Sequence, residues 1–236
     1  MIKRVLTLIM VFLLACSLHA KNFIICVGIS DYPGVRNDLH VSGTDPKLVK
    51  RLYEVNGNTS ASLFTNSQAT LKNVTAAMRN AYRLATANDA VIFYFSGHGV
   101  PGGFVCYDGF LYYSTITSIM KKSRASTKII FADACYSGSI RKGNKHDTSY
   151  RKDNVMFFLS SRTGEASMEK PGWKYSVFTT YLVRGLRGGA DANRNHVITA
   201  RELFNFVSKG VKKETRNRQH PVMWGKFDGN MAILKW

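Results

Sequence analysis

Two short apolar segments end abruptly at small residues, and each leads to a side chain capable of chemistry. Residues 90–95 are Ala-Val-Ile-Phe-Tyr-Phe and lead to His98, and residues 128–132 are Lys-Ile-Ile-Phe-Ala and lead to Cys135. Their β-branched and aromatic residues favour buried parallel strands. The segment between them is long enough for a right-handed crossover. If the strands are neighbours, the histidine and the cysteine meet at the carboxyl edge of one sheet, where α/β proteins bind ligands.

A cysteine beside a histidine forms a nucleophile–base pair. The thiolate is the reactive form, and a nearby imidazolium stabilises it. Gly97 and Gly99 flank His98, so a peptide carbonyl can approach the backbone closely. A single cysteine is more often a small apolar core residue, and a single histidine is more often structural. The placement of both at strand ends favours the catalytic interpretation.

The blocks around these two residues resemble the signature motifs of the caspase/metacaspase family of cysteine peptidases. Their sequences are Ser-Gly-His-Gly at 96–99 and Asp-Ala-Cys-Tyr-Ser-Gly at 133–138, and they are most similar to the prokaryotic, metacaspase-like (orthocaspase) branch. Further similar segments extend the resemblance over nearly all of the chain after residue 20; they are 23–32, 39–45, 158–166 and 176–186. The resemblance implies an α/β, three-layer caspase-like fold with a mostly parallel six-stranded sheet flanked by helices.

The resemblance also implies roles for individual residues. Cys135 would attack the scissile carbonyl, and His98 would be its imidazolium partner and protonate the leaving amine. The backbone N–H groups of Gly99 and Cys135 would hold the oxyanion. Asp133 would help to build the pocket for the residue before the cut bond, where its charge would select arginine or lysine over acidic residues.

Five other residues are further candidates in or around this pocket. Asp31 follows the first strand and is the expected second acid by position, with Asp38 as a rival; the alternative for Asp31 is a turn residue with a local hydrogen bond. Ser96 is expected to orient the loop around His98. Ser160, with Ser161, is expected to line the pocket floor.

The local pattern also predicts several helices and strands. Thr44 or Asp45 is expected to cap a helix, and Thr70 to cap another that extends through Ala87. Two terminal strands at 222–225 and 231–234 are expected at a sheet edge.

The first twenty residues have the pattern of a targeting segment. Lys3 and Arg4 precede an apolar stretch that is too short to span a membrane, and Ala20 suits cleavage before Lys21. This predicts a signal peptide at 1–20, a peptidase domain at 21–236, and export to the periplasm or beyond. A lipoprotein anchored at Cys16 is the less favoured alternative.

The net charge of +18 is high for a chain of 236 residues and favours acidic partners. No nucleic-acid-binding motif accompanies it, so a basic surface without a dedicated partner is favoured and no nucleic acid is expected. The resemblance implies a protein or peptide substrate, and no transmembrane span is expected. Of the cysteines beyond the leader, Cys26 is expected in the core and Cys135 as a free thiol. The sequence does not decide whether Cys106 lies in the core or in a loop, and a disulfide between Cys26 and Cys106 is allowed but not required.

No redox or organic cofactor is implied, but one segment resembles a calcium loop. The oxygen ligands would come from Asp191, Asn193, Asn195 and Glu202, with the carbonyl of Val197. His196 stands where such loops need glycine, and Arg194 and Arg201 oppose a cation. A turn followed by a capped helix is therefore favoured over a metal site.

The glycine- and charge-rich segment 139–154 contains five basic residues. In the family this segment is often cut during maturation, so self-cleavage and a plain solvated loop are equally weighted hypotheses. Three other functions compete with the main one. They are a clostripain- or gingipain-like peptidase with a different primary preference, a caspase-like binding or scaffold module without turnover, and a basic surface-binding protein.

Overall fold

The computed structural model describes residues 20–134, 154–162 and 164–235, and the strands of this part of the chain form three sheets. The strands are β1 Asn22–Gly28, β2 Thr59–Thr65, β3 Ala90–Gly97, β4 Gly99–Val100, β5 Gly103–Cys106, β6 Gly109–Tyr112, β7 Thr127–Ala134, β8 Met156–Leu159, β9 Val197–Thr199, β10 Val222–Gly225 and β11 Ala232–Lys235. The six-stranded central sheet has the order β10-β8-β7-β3-β1-β2. Only β10 is antiparallel to its neighbour in it.

Helices cover both faces of this sheet. They are α1 Asp45–Val55, α2 Leu71–Tyr82, α3 Tyr113–Lys121, α4 Val177–Arg184 and α5 Ala200–Glu214. Along β1, Ile25 and Val27 point into the core shared with α2 and α3, and Ile24 and Cys26 point into the core shared with the other three helices. Because both faces of the central strands are buried, their sequences are continuous apolar runs. The predicted three-layer fold with a mostly parallel six-stranded sheet is confirmed.

Thr70 caps the start of α2 as predicted, because its side-chain oxygen accepts the N–H of Asn73 at 3.2 Å. The α1 helix differs, because its cap residue Thr44 makes no side-chain capping bond. The carboxylate of Asp45 instead points into the protein, which places an acid in the core beside the carboxyl edge of the sheet.

Two predictions about the periphery are wrong in detail, and one possibility that the sequence left open does not occur. The α2 helix ends at Tyr82 and not at Ala87. The last strand, β11, pairs with β9 in a separate two-stranded sheet and not at the edge of the central sheet, where β10 does lie. Cys26 and Cys106 are buried free thiols in cores on opposite faces of the sheet, so no disulfide joins them.

Candidate active site

The sheet register aligns the ends of the two central strands. Strands β3 and β7 are parallel neighbours, with Ser96 opposite Asp133 and Gly97 opposite Ala134. His98 and Cys135 are the next residues in the sequence after this last pair. Cys135 itself lies outside the described residues, so the geometry of the site is built from His98 and the groups around it.

The loop that follows β1 holds both the imidazole and the backbone of His98. Its Nε2 lies 2.7 Å from the carbonyl oxygen of Asn37, in the loop that follows β1. A carbonyl can only accept, so Nε2 carries a proton and Nδ1 is the unprotonated nitrogen of the neutral ring. The backbone N–H of His98 donates to the hydroxyl of Tyr32 at 2.9 Å, and the two rings lie 4.7 Å apart.

Tyr32 is a positioning residue that sequence analysis did not identify. Its buried hydroxyl donates to the carbonyl of Val105 at 3.1 Å while accepting the His98 N–H. Burial raises the pKa of Tyr32, so the group stays a neutral phenol that can do both. A Cβ on Gly97 would lie 2.5 Å from this hydroxyl. Gly97 therefore leaves room for Tyr32 beneath the histidine.

A second group of contacts surrounds Asp133, which is 3% exposed. Its carboxylate accepts hydrogen bonds from the hydroxyls of Ser167 and Ser176, and from that of Thr179 at 2.9 Å. Because the Thr179 proton is used in this way, the Tyr94 hydroxyl 2.6 Å away must donate to Thr179. A cavity of about 190 Å³ opens above these groups and is lined by Leu39, Ser42, Ser96, Gly97, His98, Asp133, Ser167, Glu169 and Ser176. We call it the acidic cavity.

Asp45 is a second buried acid beside Asp133. Its carboxylate accepts the hydroxyl proton of Ser96 at 2.8 Å and the backbone N–H of Ser176 at 3.1 Å. Burial raises the pKa of Asp45 well above its usual range, and the nearby charge of Asp133 raises it further. Burial also raises the pKa of Asp133, against the lowering effect of its hydroxyl donors. Ser176 contacts both carboxylates and links them.

Glu169 supplies a second carboxylate to the wall of the acidic cavity, beside that of Asp133. It accepts the backbone N–H groups of His40 and Val41 at 3.1 and 3.2 Å, and the hydroxyl of Ser42 at 3.4 Å. These bonds tie the segment after β8 to the segment before α1, and they keep an acid about 130 residues away in sequence at the cavity mouth.

The other predicted pocket residues lie elsewhere. Asp31 is exposed and does not line the acidic cavity, and its backbone N–H donates to the side chain of Asn66. Asp38 is also exposed and accepts the Tyr32 N–H at 3.1 Å. The loop after β1 thus brings Asp45, and not Asp31, to Asp133.

Ser96 lines the acidic cavity, and its hydroxyl donates to Asp45 and not to the loop around His98. Ser160 is fully buried below the end of β7. The Ser160 hydroxyl pairs with the N–H and carbonyl of Ala134, and so supports the backbone that leads to Cys135. The buried side chain of Gln219, which sequence analysis did not identify, donates to the Ser160 carbonyl at 3.0 Å. Gly99 begins β4 directly after His98, and its predicted oxyanion role stays a prediction.

The calcium-like segment forms a turn and a capped helix. The N–H groups of Asn195 and His196 donate to the carboxylate of Asp191 at 3.1 and 3.0 Å. Thr199 and Glu202 form a reciprocal capping box at the start of α5. Within the described residues, no cluster of three or more His, Cys, Asp or Glu side chains is arranged to bind a metal ion.

The sequence matches a known protein family over most of its length. Residues 21–230 match the sequence model of the family described as the caspase domain. The chain belongs to the caspase-domain family. It is therefore a caspase-like cysteine peptidase, a hydrolase whose substrates are proteins or peptides. No curated protein sequence matches it at a significant level.

Solved structures share the caspase fold of this chain. The Geobacter sulfurreducens protein GSU0716 is 15% identical, with a TM-score of 0.67, and the alignment covers 92% of this chain and 97% of that one. Caspase-1 from Spodoptera frugiperda is 16% identical, with a TM-score of 0.66, and the alignment covers 89% and 87% of the two chains. In the described part of the caspase domain, no helix is both long and apolar enough to cross a membrane.

Proposed function

We propose that this caspase-family peptidase is an exported endopeptidase that cuts after arginine or lysine, with Cys135 as nucleophile and His98 as general acid and base. The observation that carries this proposal is the buried Asp133, which lines the same cavity as His98 and is linked through Ser176 to a second buried acid, Asp45. Two carboxylates withdrawn from water favour a cationic side chain and reject an anionic one, because the wrong charge would be buried without a partner.

The proposed reaction begins with proton transfer from the Cys135 thiol to Nδ1 of His98. The thiolate attacks the scissile carbonyl carbon, and the backbone N–H groups of Gly99 and Cys135 hold the resulting oxyanion. The imidazolium then gives its proton to the leaving amine as the C–N bond breaks. Water, deprotonated by His98, hydrolyses the thioester and restores the thiol.

The contacts of His98 support this cycle. The carbonyl of Asn37 accepts Nε2–H at 2.7 Å, which fixes the ring tautomer and stabilises the imidazolium when it forms. A backbone carbonyl thus takes the orienting role that a carboxylate has in other catalytic triads.

Specificity follows from the acidic cavity. A lysine or arginine side chain in it would meet Asp133 directly and Asp45 through Ser96 and Ser176. Glu169 at the mouth adds a third negative charge that attracts a cation before it is desolvated.

The decisive experiment uses fluorogenic peptides that differ only in the residue before the bond, with arginine, lysine, aspartate or asparagine at that position. The wild-type chain is expected to cut the first two, and Cys135→Ala none. Cleavage after asparagine or aspartate alone would favour a peptidase of different preference. No cleavage, together with no labelling of Cys135 by a chloromethyl ketone inhibitor, would favour a scaffold module.

Export and self-cleavage are separate parts of the proposal, and they depend on residues 1–19 and 139–153, which lie outside the described residues. The leader predicts a secreted product that begins at Lys21, which N-terminal sequencing of exported protein can test. The segment 139–154 offers Arg141, Lys142, Lys145, Arg151 and Lys152 as cleavage points. An uncut chain in fully active enzyme, measured by mass spectrometry, would reject required processing.

A further inference from the structure

A second cavity lies next to His98 and is separate from the acidic cavity. Its volume is about 470 Å³, and it is lined by Tyr32, Pro33, Asn37, His98, Gly99, Val100, Val105, Cys106, Tyr107 and Gly109. Among the described residues, His98 is the only one that lines both cavities. We call this the hairpin cavity, because strands β4, β5 and β6 supply much of its wall.

The chemistry of the two cavities differs sharply. The acidic cavity contains Asp133 and Glu169, whereas apart from His98 the lining of the hairpin cavity has no acidic or basic side chain. Its walls are two tyrosine rings, a proline, two valines and a buried thiol. Burial raises the pKa of the Cys106 thiol to about 12, so this group is also neutral. Such a lining favours an apolar or aromatic side chain over a charged one.

The position of His98 between the cavities assigns them to opposite sides of the scissile bond. The imidazole that protonates the leaving amine must lie beside the leaving part of the substrate. Consecutive side chains of an extended peptide point in opposite directions. A substrate with its basic residue in the acidic cavity therefore presents its next residue on the other side of His98.

We propose that the hairpin cavity binds the side chain that follows the scissile bond, and that it selects a large apolar or aromatic residue there. This inference rests on the proposed function, because it takes His98 as the acid for the leaving amine. The preferred substrate then has a basic residue followed by residues such as leucine or phenylalanine.

The cavity is built to keep its shape. The Tyr32 hydroxyl bonds both the His98 N–H and the Val105 carbonyl, and the Val105 N–H donates to the His98 carbonyl at 2.9 Å. The Tyr107 N–H donates to the Ala69 carbonyl at 3.0 Å, which fixes the far wall to the segment before α2. A preformed wall loses little conformational freedom when a side chain enters.

The test uses internally quenched peptides with arginine before the bond and leucine, phenylalanine, glycine, aspartate or lysine after it. We expect kcat/KM for leucine or phenylalanine to be about 10-fold or more above that for glycine, and aspartate to be the poorest. Cleavage sites are confirmed by mass spectrometry.

Substitutions at Tyr107 make the test specific. Tyr107→Ala should reduce the preference for phenylalanine over glycine at least about threefold, because part of the apolar wall is lost. Tyr107→Asp should raise kcat/KM for the peptide with lysine after the bond relative to the peptide with leucine there. The ratio of kcat/KM for arginine to that for lysine before the bond should not change in either variant. Tyr112→Ala is the matched control, because Tyr112 lies on the same small sheet but does not line the cavity.

The outcomes separate the two proposals. No cut after arginine in any peptide rejects the proposed function and this inference together. Equal cutting after arginine across the series rejects the inference alone, as does a Tyr112→Ala effect equal to that of Tyr107→Ala. A uniform rise in activity on all peptides in Tyr107→Ala would also reject it, because the cavity would then hold part of the chain itself.

Discussion

The acidic cavity and the 191–202 loop contain similar polar side chains, yet the fold uses them for different purposes. Asp133 is 3% exposed and accepts three hydroxyl protons, whereas Asp191 is half-buried and accepts backbone N–H groups of its own loop. The hydrogen bonds of Asp191 are made within its own loop, and they fix a turn. The cavity acid is withdrawn from water beside a second buried acid. Burial, and not residue type, therefore distinguishes the two acids, and only the buried one is proposed to recognise a cation.

The largest effect expected from this difference is on activity. Asp133→Asn should lower kcat/KM for arginine peptides about 100-fold or more, because a cation in the cavity loses a buried charge partner. Asp191→Asn is the matched control and should change the same constant less than about twofold. Equal losses in the two variants would show that the acids do not differ in function.

A smaller loss is expected at Asp45, which reaches the cavity only through other side chains. Asp45→Asn should lower kcat/KM for arginine peptides about 10-fold, because the remaining charge of Asp133 still faces the substrate. Asp31→Asn serves as the control, since Asp31 is exposed and outside the cavity. If Asp31→Asn has the greater effect, the loop after β1 carries the second acid as the sequence predicts.

The two regions should also differ in how stability depends on pH. The raised pKa values of Asp45 and Asp133 mean that the folded state holds protons more tightly than the unfolded chain. Their stabilising contribution is therefore full below the ordinary aspartate pKa of about 3.9 and is lost as pH rises through the raised values.

The Asp133→Asn variant is compared with its parent in a Cys135→Ala background. The melting temperature of the variant minus that of the parent should rise by roughly a few degrees from acid to neutral pH. The difference in melting temperature between Asp191→Asn and the same parent should stay constant over this pH range. A constant difference for both variants would contradict the effect of burial on the pair.

A modest structural effect is expected in the loop. Thr199→Ala removes the capping box with Glu202 and should cost about 1 kcal/mol of unfolding free energy, which lowers the melting temperature by roughly 2–4 °C. Activity measured well below the melting temperature should not change, and Thr199→Ser should restore the stability. A parallel loss of activity would connect the loop to the active site.

The smallest expected effect is that of calcium. The loop oxygens already accept backbone N–H groups, and the neighbouring Arg194 and Arg201 oppose a cation, so titrated calcium should leave the melting temperature and activity unchanged. A rise in melting temperature that disappears in Asp191→Asn would overturn this expectation and make the loop a metal site.

The sequence predicts the centre of this fold well, because central parallel strands are buried on both faces and must be apolar runs. The same reasoning places His98 at a strand end, and the register of Ser96 with Asp133 bears this out. Family resemblance adds Asp133, which the structure places in a cavity beside His98.

Acids that enter the site from elsewhere in the chain were harder to predict. Asp45 stands in the first turn of a helix, where an aspartate usually serves the helix itself, so only the path of the loop after β1 reveals its inward direction. Glu169 belongs to no local motif, and its place depends on N–H groups about 130 residues earlier. Such contacts arise from tertiary packing, which no short pattern encodes.

Ser176 combines two duties in one side chain. Its oxygen accepts the Thr179 N–H and so starts α4, while its own proton goes to Asp133 and its backbone N–H to Asp45. Attempts to redesign this peptidase for acidic substrates would therefore disturb the beginning of a core helix as soon as they altered that serine. A change of selectivity that replaces Ser176 therefore has to supply a new start for α4 at the same time.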